Sequence, residues 1–377
     1  MESKPTIVVI GSLNVDFVTL TARVPGPGET LRGEALTVSA GGKGANQAVA
    51  CGRAAFTSRE EQTVAVSMIG AVGARDPYYE SLLKPLLESS GVRTQGIDEI
   101  EGVGTGTATI IVEGGTGGGE NRIIIVPGAN GNVDDATKVL ATMTEMVPRA
   151  PDVVVMQGEI PFTVVMELLK KFNSGESGPQ NICVVFNPAP MPEDGIPLGA
   201  LRNLAVLVVN ETECLLLCRH LEQLGLDMAS EALRTKEGEE KEEEEELLTE
   251  PFLTATAHRL HDLVGISVVV VTLGSRGVFY SARKNGSSHG EGQEKRIHSA
   301  MIPAAKVDHV VDTTAAGDTF VGYLASALAT HLHSSTSESR AGIDDFDLAN
   351  AVHRANQAAA KCVRRRGAAE SIPYGYE

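Results

Sequence analysis

The chain has 377 residues, 42% of them hydrophobic, with 40 glycines, 4% aromatics and no tryptophan. That length supports a large core in one or two domains. A formal net charge of −17 argues against a nucleic-acid surface, which needs clustered Lys and Arg. No apolar run approaches the roughly 18 residues that span a bilayer. Eight glutamates and one lysine in EGEEKEEEEE (residues 237–246) supply −7 of the total. Such a block repels itself, so a solvated insert is expected at about 236–250. The five cysteines (Cys51, Cys183, Cys214, Cys218, Cys362) form no CxxC pair, and MESKPTIVVI has no basic leader ahead of a long apolar stretch. Free thiols and a cytoplasmic location are therefore expected, the nucleus or another reducing compartment remaining open.

In chain order, TIVVIG (6–11) reads as a first buried strand and ends in the polar tag GSLNVD. Residues 17–39 hold strand-like pieces around a Pro-Gly turn. SAGGKGANQAVACGRAA (39–55) is a glycine turn feeding an Ala-rich helix. TVAVSMIG (63–70) is a second strand and PYYESLLKPLLESSG a helix. Residues 103–126 look like a hairpin with a Gly-rich tip at 114–119; the tip fits neither phosphate-loop spacing and no helix follows it. DVVVMQG, ICVVFNP, LAVLVVN and SVVVVTLG complete a set of apolar strands, and FTVVMELLKKFNS is another helix. His258 and His261 lie three apart on a helix; without a third ligand in register, a solvated helix face is the expectation. Residues 284–294 read as a polar loop.

Continuous apolar strands alternating with helices predict a parallel sheet covered on both faces. Ligands of such sheets bind beyond the carboxyl ends of the strands. GSLNVD, QGE, NPAP, NETE and TLGSRG all sit at such ends and would converge on one crevice. Within it, Asn14 and Asp16 have the spacing to take adjacent sugar hydroxyls. Gly41 and Gly42 let backbone approach a ligand, Lys43 adds a charge and Asn46 opens the helix.

The stretch DTTAAGDTF (312–320) places Asp318 behind Ala315, Ala316 and Gly317 at the start of an apolar helix. Capping explains the aspartate alone. An anion hole explains the set: small residues expose first-turn amides to a phosphate, and Asp318 takes a proton from an attacking hydroxyl. A Rossmann dehydrogenase is excluded, because VIGSLNVD lacks GxGxxG.

DTTAAGDTF together with GGKGANQA resembles the ribokinase-like family of sugar and nucleoside kinases, over about residues 6 to 374. The resemblance implies a three-layer α/β/α fold with a central, mostly parallel sheet, in segments 1–16, 40–102 and 127–377. Segments 17–39 and 103–126 would form a small β-sheet lid that also pairs two subunits into a homodimer. It implies ATP-dependent phosphorylation of D-ribose at O5, with Asp318 as base and Ala315, Ala316 and Gly317 as anion hole. A deoxyribose, fructose or nucleoside kinase is the alternative, and a non-catalytic sugar-binding regulator a more distant one.

By the same resemblance Asn14, Asp16, Gly42, Lys43, Asn46 and Glu159 bind the sugar. Asn210, Thr272, Leu273, Gly274, Ser275, Arg276, Gly277 and Asn356 meet the nucleotide, and Glu213 helps place magnesium. Asp312, Thr314, Cys362, Arg365, Gly367 and Ser371 would hold an activating potassium, mostly through backbone oxygens. The chain departs from common members at GAAESIP, where Glu370 replaces a less polar residue.

Overall fold

The computed structural model describes residues 3–114, 121–147, 149–174, 182–226, 248–284, 296–334 and 343–377. Residues 236–247 of the expected acidic insert, 115–119 of the Gly-rich tip and 285–294 of the polar loop lie outside the described residues.

Nine strands form the main sheet: β1 (Thr6–Ile10), β4 (Ala65–Gly73), β5 (Val92–Ile100), β8 (Val153–Met156), β9 (Cys183–Phe186), β10 (Val206–Asn210), β11 (Val268–Thr272), β12 (Val278–Lys284) and β13 (Arg296–Ile302). Their order is β13-β12-β11-β10-β9-β8-β1-β4-β5. All neighbours pair parallel except β12, which is antiparallel to both β11 and β13. The second sheet contains β2 (Asn14–Thr21), β3 (Ala35–Gly41), β6 (Gly106–Glu113) and β7 (Asn121–Val126), in the order β3-β2-β6-β7.

The helices are α1 (Lys43–Ala54), α2 (Lys84–Ser89, entered through a π turn at Tyr79–Leu83), α3 (Ala136–Met146), α4 (Phe162–Asn173), α5 (Leu198–Leu201), α6 (Glu211–Gln223), α7 (Glu250–Val264), α8 (Ala316–Ser334) and α9 (Leu348–Cys362). Among them none is long and apolar enough to cross a membrane.

The apolar strands are buried on both faces because alternate residues enter different cores. Ile7, Val9, Val153, Val155, Val268 and Val270 pack toward α1, α2, α8 and α9. Val8, Ile10, Val154, Met156, Val269 and Val271 pack toward α3 through α7. This is the three-layer arrangement that the apolar runs predict. The strands that patterning passes over are β5, β12 and β13. VRTQGIDEI is an edge strand, buried only at alternate residues along its first half, and RIHSAMI is an edge that is at most half-buried. Neither has an apolar run to betray it.

Two expectations need adjustment. The strands of the small sheet run to 14–21 and 35–41, so Asn14 and Asp16 belong to it rather than to the core piece 1–16. His261 is not on a solvated face. It is fully buried on α7, its Nδ1 paired with the Ile266 carbonyl at 2.7 Å and its Nε2 with Ser281 Oγ at 2.9 Å. That burial lowers its pKa and favours the neutral ring.

One helix contact positions the crevice. Helices α1 and α8 meet where Gly322 faces Ala50 and Cys51. A Cβ added at Gly322 would lie 2.3 Å from Ala50 Cβ and 2.6 Å from Cys51 N. Gly322→Ala is expected to push the helices apart and cost about 1–3 kcal/mol, the usual range for overpacking. Thermal unfolding should show a melting temperature several degrees lower; an unchanged value contradicts this packing.

Candidate active site

The turn before α1 is built from close approaches. Gly42 has φ +87°, and an added Cβ would sit 2.8 Å from Asn14 N and 3.0 Å from Ser12 O. No other residue fits there without moving the end of β1 or the start of β2. The first-turn amides of α1, orphans by helix geometry, all find acceptors. Ala45 N donates to Ser12 O at 2.9 Å, Gly44 N to Ser12 Oγ at 3.2 Å and Lys43 N to Glu159 Oε2 at 2.8 Å. Ser12 Oγ also donates to Glu159 Oε2. Glu159 therefore caps α1 and locks Gly42 and Lys43 in place.

Asp318 is buried in the first turn of α8 and does not cap its own helix. Its Oδ2 accepts from Asn46 Nδ2 at 3.0 Å and its Oδ1 from Gln47 Nε2 at 2.9 Å, both from α1. The capping explanation of DTTAAGDTF is thereby displaced. Just before the helix, Ala315 stands at φ +60°, a left-handed conformation that a non-glycine residue rarely adopts. An added Cβ at Gly317 would meet nothing within 4 Å. Packing does not demand that glycine; an open face beside the first-turn amides does use it.

Asn14 and Asp16 enter from β2. Asn14 Oδ1 accepts from Asn130 Nδ2 at 2.8 Å, and Asn130 also brackets the Leu13 backbone. Asp16 is 7% exposed and Oδ1 has no partner among the described residues; the same holds for Asn46 Oδ1. Burial first, then the charges of Glu159, Glu370 and Asp318, push the Asp16 carboxyl up to about 7. Lys43 shows the opposite balance. Burial works against its charge, but the carboxylates of Asp318, Glu159 and Glu213 outweigh that and hold its pKa above the ordinary lysine value. One ammonium thus sits among three carboxylates, and it is not simply turned to solvent.

At the neighbouring strand ends, Asn210 and Thr272 are paired in register. Asn210 caps α6: its Oδ1 accepts from Glu213 N at 2.8 Å, and its own N–H donates to Glu213 Oε2 at 3.0 Å. Glu213 is 8% exposed, so it is no surface charge, and burial raises its pKa against the hydrogen bonds it accepts. Gly274, Ser275 and Arg276 form a short 3-10 turn between Leu273 and Gly277, with Leu273 in the core. The Arg276 guanidinium is turned to the Leu248 carbonyl (3.1 Å) and Glu211 (3.4 Å). Asn356, on α9, donates from Nδ2 to Pro303 O at 2.8 Å, which leaves Oδ1 as its remaining polar atom.

The two segments suggested for a monovalent cation do meet. Gly367 N donates to Asp312 Oδ2 at 3.1 Å, Val311 N to Val363 O at 2.8 Å, and Cys362 Sγ to Thr314 O at 3.6 Å. Cys362 Sγ also lies 3.0 Å from Ser371 Oγ. The Arg365 side chain instead pairs with Glu377. Glu370 lies beside this junction, its carboxylate next to Gly367; its Oε1 also accepts from Ala40 N at 3.4 Å, and its charge is felt by Asp16.

Sequence reasoning missed Ser12, Gln47, Asn130, Gln157 and Asn187, all buried and all hydrogen-bonded within the crevice wall. Four of them lie in or beside the tags and turn already singled out at the strand ends. Asn130 carries no such signal.

Comparison with known proteins agrees with this geometry. The chain matches the pfkB family carbohydrate kinase profile over residues 4–374. Ribokinase of Schizosaccharomyces pombe is 34% identical over 371 residues, 97% of this chain and 94% of that protein. Ribokinase of Lactococcus lactis is 34% identical over 331 residues, 88% and 86% of the two chains. Among solved structures, ribokinase from Giardia lamblia aligns with a TM-score of 0.73 at 27% identity, covering 99% of this chain and 97% of that one. Ribokinase from Cryptococcus neoformans var. grubii, in complex with ADP, aligns with a TM-score of 0.67 at 29% identity, covering 98% of each. Matched by the family's profile over residues 4–374 and, across 97% of its length, by a ribokinase 34% identical to it, the chain belongs to the pfkB family of carbohydrate kinases.

Proposed function

We infer that this protein transfers the γ-phosphoryl group of ATP to O5 of D-ribose, releasing ADP and D-ribose 5-phosphate. The observation that carries this reading is a buried carboxylate, Asp318, held by two amides at the mouth of α8. Relatives covering nearly the whole chain are ribokinases, which favours ribose over other sugars. Asp318 accepts the proton of the O5 hydroxyl. O5 bonds to the γ-phosphorus as the bond to the β–γ bridging oxygen breaks, and that oxygen leaves on ADP. The first-turn amides at Gly317 and Asp318 face the charge on the moving group, while that of Ala316 donates to Thr313 O at 3.3 Å. Lys43 adds positive potential. The unpartnered acceptors Asp16 Oδ1 and Asn46 Oδ1 suit the donors that adjacent sugar hydroxyls supply.

The nucleotide lies across Asn210 and the turn from Thr272 to Gly277, with Asn356 toward its base end. Glu213, whose oxygens accept from Asn210 and Asn187, would help place magnesium from the helix end rather than enclose it, since magnesium keeps phosphate and water oxygens; bound with ATP, the ion would neutralise the β and γ phosphates. Potassium fits the oxygen-rich junction of Asp312 and Thr314 with Cys362, Arg365, Gly367 and Ser371. There it would steady the backbone of the anion hole without touching substrate. The small sheet acts as a lid that carries Asn14 and Asp16 onto the sugar. It also exposes Leu36 (64%), Ile124 (62%) and the rest of 123–126 on both faces of β7, an apolar edge that suits pairing with a second copy. Five buried free thiols fit the cytoplasm or another reducing compartment.

An ADP-release assay across ribose, deoxyribose, fructose and adenosine is expected to favour ribose. Asp318→Asn should cost at least about 10²-fold in turnover, the lower end for a positioned general base. Only ionised Asp16 can accept two hydroxyls, and that form is depleted as pH falls through about 7. The KM for ribose should therefore rise from pH 8 to pH 6; a flat KM contradicts the role given to Asp16. At constant ionic strength, KCl should raise turnover over choline chloride, and equal rates in the two salts reject the cation site. In sedimentation the protein should be a dimer that Ile124→Glu converts to monomer; a monomeric parent protein rejects pairing through the lid.

A further inference from the structure

Gln47 and Asn187 are two buried polar groups of the crevice wall that the proposed mechanism does not use. Gln47 is fully buried and Asn187 is 9% exposed. Gln47 Nε2 donates to Asp318 Oδ1 at 2.9 Å and to Asn187 Oδ1 at 3.1 Å, and Gln47 Oε1 accepts from Gln157 Nε2 at 2.8 Å. Asn187 Nδ2 donates to Val208 O at 3.0 Å and to Glu213 Oε2 at 3.3 Å. Each amide is thus fixed in one orientation. Turning Gln47 over would set its oxygen against both Asp318 and Asn187 Oδ1, two acceptor–acceptor contacts at a buried position. The chain of bonds runs from the carboxylate at α8 to the carboxylate at α6, through an amide on α1 and one following β9.

We propose that Gln47, held by Asn187 and Gln157, is a positioning residue that fixes the Asp318 carboxylate for proton abstraction and ties it to Glu213 on the nucleotide side. This rests on Asp318 being the base. A wall that merely needed filling would use apolar groups here, since a partly satisfied buried amide destabilises and a fully satisfied one adds little over a good apolar fit. What the amides provide is a single carboxylate orientation, the requirement of a group that must face one hydroxyl.

The test uses Gln47→Met, close in shape and without hydrogen bonds, with ADP release from ribose and ATP as the readout. Turnover should fall about tenfold or more, the rate equivalent of one lost charge-assisted hydrogen bond, while the KM for ribose stays within about twofold. Placed on Asp318→Asn, the same change should have no further effect, because there is no base left to position. A loss of equal size in both backgrounds, or turnover within about twofold of the parent protein, overturns the proposal. Asn187→Leu gives a second route if Gln47→Met does not fold. It leaves the Gln47–Asp318 bond possible but unheld, and should lower turnover less, again only when Asp318 is present; a loss that persists in Asp318→Asn overturns the proposal too. If Asp318→Asn by itself keeps normal turnover, the assignment of the base has failed, an outcome distinct from both.

Discussion

Asp318 cannot be placed by its own helix. Both of its hydrogen bonds come from α1, whose Asn46 and Gln47 reach it only because α1 and α8 pack at the separation allowed by Gly322 against Ala50. That contact in turn needs α1 anchored at its other end. The anchor is the Ser12–Glu159 pair on the amides of Lys43 and Gly44, and Gly42 in a conformation open to glycine alone. Strand β1, the turn, the two helices and the end of β8 therefore form one unit, and the carboxylate at its centre inherits their combined rigidity.

The same unit concentrates charge. Asp16 feels the charges of Glu159 and Asp318, Glu213 feels Asp318, and Lys43 feels Asp318, Glu159 and Glu213. Burying carboxylates near one another is unfavourable: burial first, and neighbouring charge second, raise Asp16 and Glu213. A folded core has no use for that arrangement, and clusters of this kind concentrate at functional sites. Glu370 adds to the same field from a turn far along the chain, its carboxylate beside Gly367 and its charge felt by Asp16.

At α6 the wall is built more economically. Asn210 and Glu213 close a reciprocal cap on the helix, so the residues proposed to meet the nucleotide also satisfy the helix end. Capping and the proposed ligand contact are not rival explanations at this position. Arg276 shows the converse: a residue inside the matching turn whose side chain is committed to Glu211 and the Leu248 carbonyl.

Read alone, the amino-acid sequence determined the class of fold, because strands buried on both faces must be apolar at every fully buried position, and TIVVI, VVVM and VVVVT are, with only the half-buried end residues Thr6 and Thr272 polar. It also pointed to the strand ends that line the crevice, since Asn14, Asp16, Glu159, Asn210 and Asp318 all sit in short polar tags or turns. It left β5 and β13 illegible, because edge strands are half solvated and lose the apolar run. The buried state of His261 and the joining of Asp312 to Gly367 were hidden for a related reason: each depends on residues distant in the chain. Asn130, Gln47 and Asn187 belong to the same group. Nothing in GANQA or FNPAP says that two amides 140 positions apart will bond to each other and that one of them will bond to the Asp318 carboxylate on a third element. Only the packing of α1 between the sheet and α8 decides that, because a hydrogen bond is set by distance and direction in space, and local sequence carries neither across a fold.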